Sequence, residues 1–188
     1  SIGGVETHLK DLADYMNDRN YDVSVVTFDP QLIDLNIAKA PRTELTKRLS
    51  VFRIPWFGKG FFFKLEPYPL LEFLYIVPIL FLHSFVYLLN HKVDVINSHG
   101  ILSTLAALPL SKLFNIRLVF TVHVTYKFEN HPLLRKMSRF IVENCDKVMP
   151  LAQRSLVDFS LLGADREKYV VYTHWVDLEL FKPRENRK

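Results

Sequence analysis

Two adjacent glycines, Gly3 and Gly4, stand directly before the first helical pattern of the chain. Apolar residues then recur with the spacing of a helix that buries one face, at Val5, Leu9, Leu12, Ala13 and Met16. The first turn of a helix carries unpaired backbone N–H groups and the positive end of the helix dipole. Glycines at this place allow an anion such as phosphate to approach the backbone, but they also suit a plain tight turn. Both interpretations remain open on the residues alone.

Two histidines end segments that are typical of β-strands: His99 in "VDVINSHG" and His123 in "IRLVFTVH". Histidine titrates near neutral pH and can donate or accept a hydrogen bond, so each could contact a substrate or simply cap a strand end. No His-x-x-x-His motif and no carboxylate pair on one face accompanies them, and we expect no metal site. We expect His8 and His131 to be surface residues.

The composition bounds the class of protein. The chain has 188 residues, 49% hydrophobic and 23% charged, which predicts one soluble globular domain. A single cysteine, Cys145, excludes an internal disulfide and a cysteine-based zinc site. The formal charge of +4 is modest and argues against nucleic acid as a partner. Residues 73–90 are uncharged over a membrane-spanning length, but they contain Pro78, His83 and Ser84, and we expect a buried or surface-bound helix.

A basic and aromatic stretch covers residues 47–64, which hold five basic side chains and no acidic one. Its aromatic residues are Phe52, Trp56, Phe57, Phe61, Phe62 and Phe63. Aromatic rings beside cations suit an anionic membrane surface. Ordinary packing against a helix over residues 70–89 is the competing interpretation.

Strand patterns alternate with helical ones along the chain, which predicts a doubly wound, mainly parallel α/β sheet of Rossmann-like type with helices on both faces. We expect a loop over residues 31–47, a helix interrupted or bent near Pro109, and a last strand in "KYVVYT". A glycine turn that enters a helix in such a fold normally leaves a strand. We therefore expect a first strand that precedes Ser1 and is absent from this chain.

Five segments occur in the order seen in the amino-terminal half of family 4 glycosyltransferases: "GGVETHLKDLADYMNDRNYDVSVVT", "DVINSHG", "VFTVHVTY", "CDKVM" and "REKYVVYTHWVDLELFKP". The chain resembles this retaining, GT-B-fold family nearly from end to end. The opening glycines and His99 also resemble the branch that glycosylates lipid carriers. The resemblance implies a nucleotide-sugar donor and no further cofactor.

The resemblance also implies roles for particular residues. His123 matches a histidine beside the transferred sugar, and we name it as the catalytic candidate. The residues expected to bind donor or acceptor are Gly3, Gly4, His99, Tyr126, Lys127 and Arg154. Two positions depart from the family pattern. "HWVD" replaces a common Asn-Gly-Val-Asp, and Ala152 stands where a serine is frequent.

The domain expected from the resemblance is the acceptor-side half, residues 1–183, followed by the start of an interdomain linker at residues 184–188. Such a chain would be inactive alone, because the half that grips the donor is missing. We expect a lipid-linked or glycan acceptor and a cytoplasmic enzyme, peripheral at the inner membrane face. The alternatives are a non-catalytic membrane-surface or protein-binding module and a GT-B sugar-nucleotide epimerase.

Overall fold

The structure is a computed structural model that describes residues 4–30, 41–45, 48–58, 60–65, 67–123, 132–163 and 165–172. Six helices and six strands alternate through much of this part of the chain. The helices are α1 Gly4–Asp18, α2 Phe61–Leu65, α3 Pro69–Asn90, α4 Ile101–Phe114, α5 Pro132–Asn144 and α6 Gln153–Ser160. The strands are β1 Val23–Phe28, β2 Thr43–Leu45, β3 Leu49–Ile54, β4 Val95–His99, β5 Arg117–Val122 and β6 Lys147–Pro150.

The carboxyl-terminal sheet has the order β4-β5-β6, and all of its strands are parallel. Leu118, Phe120 and Val122 of β5 are fully buried, because α4 and α5 connect the three strands and their side chains join the same core. The interpretation of "IRLVFTVH" as a central parallel strand is therefore confirmed.

The amino-terminal sheet has the order β1-β3-β2. Strands β1 and β3 are parallel, with Val23 opposite Leu49, whereas β2 is antiparallel to β3. The prediction of a loop over residues 31–47 was wrong for β2. This strand has three residues, all exposed, and so lacks the apolar period that would predict it.

Strands β1 and β4 each pair with one neighbour in the described part of the chain. The two sheets are thus separate in their hydrogen bonding. The expected additional strand before Ser1 stays a prediction.

Two predictions, one about helix α4 and one about the last strand, need correction. Helix α4 is continuous through Pro109, so the predicted interruption is wrong, whereas the predicted bend stays a prediction. The buried side chains of Leu108 and Leu110 on either side hold the helix in the core. The predicted last strand "KYVVYT" starts at Lys168, the last residue of a one-turn 3₁₀ helix, Arg166–Lys168, and its described part forms a single parallel bridge between Tyr169 and Val148. The backbone N–H of Tyr172 still donates to the carbonyl of Pro150 at 3.1 Å, so this segment follows β6 without forming a full ladder.

Candidate functional site

His99 and His123 lie at the same edge of the carboxyl-terminal sheet. His99 is the last residue of β4 and pairs with Thr121, and His123 follows the last residue of β5. Because β4 and β5 are parallel, both side chains are placed at the carboxyl ends of strands, where ligands of open α/β sheets gather.

The two imidazole rings are hydrogen-bonded to each other. Nδ1 of His99 lies 2.8 Å from Nε2 of His123, and the rings are stacked with centroids 5.0 Å apart. The other nitrogen of His123, Nδ1, lies 3.3 Å from the hydroxyl of Tyr172. Both nitrogens of His123 are therefore engaged within the protein.

His8 completes a four-residue cluster that we call the histidine cluster: His8, His99, His123 and Tyr172. The His8 ring centroid lies 5.7 Å from those of His123 and Tyr172, and the side chain is only 6% exposed. The prediction that His8 is a surface residue was wrong. It stands three residues after Val5 and four before Leu12, so it shares the apolar face of α1.

Burial sets the charge states of His99 and Tyr172. Desolvation, followed by repulsion from His123 and His8, lowers the pKa of His99 from 6.5 to about 4. Burial also raises the pKa of Tyr172 to about 12. At neutral pH His99 is thus an uncharged imidazole and Tyr172 a protonated phenol.

The hydrogen bonds can run in either of two directions. If Tyr172 donates to Nδ1 of His123, then Nε2–H of His123 donates to His99, whose own Nε2 carries the remaining proton. If both hydrogen bonds run in the reverse direction, Nδ1–H of His99 donates to His123, and Nε2 of His99 is an acceptor. In both cases these two hydrogen bonds leave Nε2 of His99 unused.

The strand-to-helix turn after His99 depends on Gly100. Its φ of +93° and ψ of 168° form a conformation that is essentially restricted to glycine. The Gly100 N–H donates to the carbonyl of Thr121 at 3.0 Å, and the Ser103 hydroxyl donates to the carbonyl of His99 at 2.7 Å. These bonds fix the backbone that carries His99.

The remaining predicted site residues are not tested by this geometry. Gly4 is the first residue of α1, one helical turn before His8. Gly3, Tyr126 and Lys127 lie outside the described residues, as do the "HWVD" segment and the side chain of Arg154. Ala152 is the N-cap of α6 and makes no side-chain cap, as expected for a residue without a polar group.

Sequence reasoning identified two members of the cluster and missed the other two. The helical spacing of His8 was a usable signal. Tyr172 lies in the segment predicted as a plain strand, and nothing in its immediate sequence indicates that its hydroxyl reaches His123. Across the described ranges, no group of three or more His, Cys, Asp or Glu side chains is arranged to hold a metal ion.

Comparisons with known proteins agree with this architecture. The model of Glycosyltransferase Family 4 matches residues 2–180. No curated protein sequence matches the chain. Two structures of sucrose-phosphate synthase from Thermosynechococcus elongatus are similar, with TM-scores of 0.66 and 0.71 and identities of 14% and 16%. HepE from Anabaena, solved in complex with UDP-glucose, has a TM-score of 0.61 and 18% identity.

Coverage differs among these structures. This chain is covered over 93% and 97% by the two synthase structures and over 98% by HepE. It spans 87% of the first synthase chain, but only 45% of the second and 44% of HepE. Such identities show a shared GT-B glycosyltransferase fold, and the family match shows more: the chain belongs to glycosyltransferase family 4.

Proposed function

We propose that this chain is the acceptor-binding half of a retaining glycosyltransferase that moves a sugar from a nucleotide-sugar to a lipid-linked or glycan acceptor. The observation that carries the proposal is the histidine cluster. It places a neutral imidazole nitrogen at the carboxyl ends of β4 and β5 in a chain of family 4. The resemblance to the family implies that His123, at this edge, lies beside the transferred sugar.

The chemistry requires positioning more than proton transfer. Retaining transfer develops positive charge on the sugar ring and negative charge on the departing diphosphate, so the site must orient the sugar and stabilise the leaving group. In our proposal, the histidine cluster hydrogen-bonds a hydroxyl of the sugar or acceptor through His99 and holds His123 beside the ring. Backbone N–H groups at Gly3 and Gly4 face the diphosphate or the acceptor.

The proposal divides the work between two halves. HepE, of which this chain spans 44%, was solved with UDP-glucose, which supports a nucleotide-sugar as the donor class. In the family, the donor nucleotide is gripped mainly by basic residues and paired glutamates of the carboxyl-terminal half. We therefore propose that residues 1–183 alone are inactive. As a separate point, we propose that the full-length enzyme is cytoplasmic, peripheral at the inner membrane face.

A non-catalytic module that binds a membrane surface or a protein is the second candidate. The exposed apolar side of α3 favours this candidate, because such a surface could bind a membrane or a protein without a second, donor-binding domain. The two candidates differ in one observable, the turnover of a nucleotide-sugar by the full-length protein.

Release of nucleoside diphosphate tests the proposal. The full-length protein is incubated with UDP-, GDP- and ADP-sugars and a panel of lipid-linked and glycan acceptors. We expect acceptor-dependent release with one donor class and retention of the anomeric configuration in the product. No release with any combination, from folded full-length protein, would favour the non-catalytic module.

The fragment provides a separate prediction. Because the main grip on the leaving group lies in the other half, we expect residues 1–188 to turn over no donor and to bind it weakly. Calorimetry measures this directly. Micromolar donor affinity of the fragment would contradict the proposed division of the site.

A further inference from the structure

Helix α3 is apolar on all sides but lies on the surface. From residue 73 to residue 90 it contains no Asp, Glu, Lys or Arg. It is the one helix among the described residues that is long and apolar enough to cross a membrane, and only 6% of its apolar stretch is buried. A helix with this composition is normally covered by a protein core or by lipid. In this structure its outer side has no such cover.

The uncovered side of α3 is a continuous stripe. Six residues spaced three or four apart lie on one face of the helix and are exposed: Leu71, Leu74, Pro78, Leu82, Val86 and Leu89. We call these six residues the α3 stripe. The five leucine and valine side chains are each between 48% and 60% exposed. At 1.5 Å per residue, a 22-residue helix extends over about 33 Å. The stripe is therefore an apolar strip with the length of the helix.

The opposite side of α3 attaches the helix to the domain. The Tyr87 hydroxyl donates to the Ser24 hydroxyl of β1 at 2.7 Å, and the ring of Phe85 lies 5.8 Å from that of Phe114 on α4. Near the other end, the Tyr75 hydroxyl donates to the Phe57 carbonyl at 2.7 Å. A membrane-spanning position would break these contacts. The stripe must be covered while the helix remains on the domain surface.

Exposed aromatic rings adjoin the amino end of the stripe. Phe57, Phe61 and Phe63 are between 44% and 58% exposed, and the Phe61 ring packs against Tyr75 of α3 with centroids 5.6 Å apart. Only part of the predicted basic and aromatic stretch is therefore internal packing. Trp56 belongs to that internal part, because its ring stacks on Phe28 and its Nε1–H donates to the Asp29 carbonyl.

Fewer basic side chains of this region are available to a membrane than the sequence implied. Arg53 pairs with Glu44 at 2.8 Å, and Arg48 lies 3.8 Å from Asp22, so two of the five basic side chains already face acids. Lys64 on α2 and Lys92, two residues beyond α3, are exposed and form no ion pair among the described residues. They stand at opposite ends of the helix. Lysines in these positions can extend to anionic headgroups while the stripe enters the apolar layer.

We propose that the α3 stripe docks on the surface of a bilayer that contains anionic lipid, with the helix lying in the plane of the interface. The stripe offers only Leu, Val and Pro side chains, none of which can form a hydrogen bond, whereas protein interfaces carry about one hydrogen bond per 100–200 Å². A lipid surface has no such groups to satisfy, and an apolar helix face that lies in the plane of the interface is buried by about 5–10 Å at the headgroup and acyl boundary. This inference does not depend on the proposed catalytic activity, because docking needs no sugar chemistry.

Vesicle flotation tests the docking directly. The full-length protein is mixed with phosphatidylcholine vesicles or with vesicles that also contain phosphatidylglycerol. We expect flotation with the anionic vesicles that weakens as salt is raised, because each lysine near an anionic surface contributes about 1 kcal/mol. Absence of flotation with both kinds of vesicle would overturn the proposal.

Matched variants locate the surface. Leu74→Glu together with Leu82→Glu places two charges in the stripe, and we expect at least a tenfold loss of vesicle binding. The control pair, Leu133→Glu with Leu161→Glu, changes leucines that are 57% and 64% exposed on or beside other helices and should bind as the parent does. Equal losses in both pairs would contradict a site on α3. Lys64→Glu should weaken binding to anionic vesicles, whereas Lys136→Glu on α5 should not.

A labelling experiment uses substitutions that introduce no charge and are therefore less disruptive than Leu→Glu. Cys145 is the one cysteine of these 188 residues and is 2% exposed, so in this chain a polarity-sensitive dye labels Leu82→Cys alone. We expect a blue shift of its emission on anionic vesicles and no shift for Leu161→Cys. A dimer that seats the stripe on a second copy would appear instead as a blue shift that depends on protein concentration without vesicles, and this result would overturn the proposal.

Discussion

At the scale of single residues, His99 and His123 constrain each other's protonation. Their nitrogens are 2.8 Å apart, so one must donate and the other accept, and protonation of both nitrogens on both rings would place two cations in contact without an acceptor between them. The low pKa of His99 follows from this neighbour and from burial. A neutral His99 suits a role in orienting a sugar hydroxyl more than a role in proton transfer at neutral pH.

The pH dependence of stability should report the buried His99. In the unfolded chain its pKa is the ordinary 6.5, and in the folded protein it is about 4. Below pH 6.5 the unfolded state therefore binds more protons. The free energy of unfolding should fall as the pH decreases from 6.5 to 4, by up to about 3 kcal/mol from this residue.

His99→Asn provides the comparison for this measurement. An asparagine amide can replace Nδ1 in the hydrogen bond to His123 but does not titrate. Urea titrations between pH 4 and 7 should show a shallower loss of stability in the variant. Parallel curves for parent and variant would mean that His99 keeps its ordinary pKa in the folded protein.

Tyr172 belongs to the same network as a positioning residue. Tyr172→Phe keeps the ring and removes the hydroxyl that lies 3.3 Å from Nδ1 of His123. If this hydroxyl selects the direction of the hydrogen bonds, kcat of the full-length enzyme should fall by about tenfold with little change in KM, as expected for a group that acts on a catalytic residue. A change confined to thermal stability would assign Tyr172 a structural role.

The sequence predicted part of this cluster for a physical reason. The ends of parallel strands meet at one edge, so two strand-terminal histidines could be placed together without knowledge of the fold's details. His8 belongs to α1 and Tyr172 to the segment beside β6. Their contacts with His123 depend on tertiary packing, which the spacing along the sequence does not reveal. Spacing along the chain could reveal the buried face for His8 but not its partners.

At the scale of elements, the turn from β4 into α4 is the most constrained part of the site. A Cβ atom at Gly100 would meet no atom within 4 Å, so any cost of substitution comes from the backbone conformation and not from space. We expect Gly100→Ala to lower the free energy of unfolding by about 1–3 kcal/mol. Chemical denaturation checks this value.

Asn115 offers a control for that substitution. It caps the other end of α4 with φ of 54° and ψ of 46°, a left-handed conformation that asparagine tolerates. Asn115→Gly should leave stability nearly unchanged or raise it slightly. If Gly100→Ala were equally neutral, the turn would not require the conformation seen here.

Element prediction succeeded where the apolar period was long and failed where it was short. Helices α1 and α3 and strand β5 have strong patterns and were placed within a few residues. Strand β2 is too short and too exposed to show a period. The segment of residues 169–172 has the β-branched composition of a strand, but it follows the 3₁₀ turn Arg166–Lys168 and forms a single bridge to β6.

At the scale of the whole molecule, the chain combines a polar cluster at strand ends with an apolar helix surface. The proposed enzyme would use the first to bind sugar and the second to remain at a lipid surface. Membrane docking was predicted from the basic and aromatic stretch, but among the described residues six large apolar side chains are exposed on α3 and only three within that stretch. Sequence alone could not decide which side of this uniformly apolar helix faces outward.

The measurement that tests the central claim most directly is the turnover of full-length enzyme carrying His123→Ala. His83→Ala is the control, because the hydrogen bond of this histidine within the described part of the chain is to the Ile79 carbonyl of its own helix. With a soluble acceptor, we predict that His123→Ala lowers kcat/KM by about ten- to a thousandfold and that His83→Ala does not. Unaltered turnover in a folded His123→Ala variant would contradict a role for the cluster in transfer and leave His123 as a strand cap.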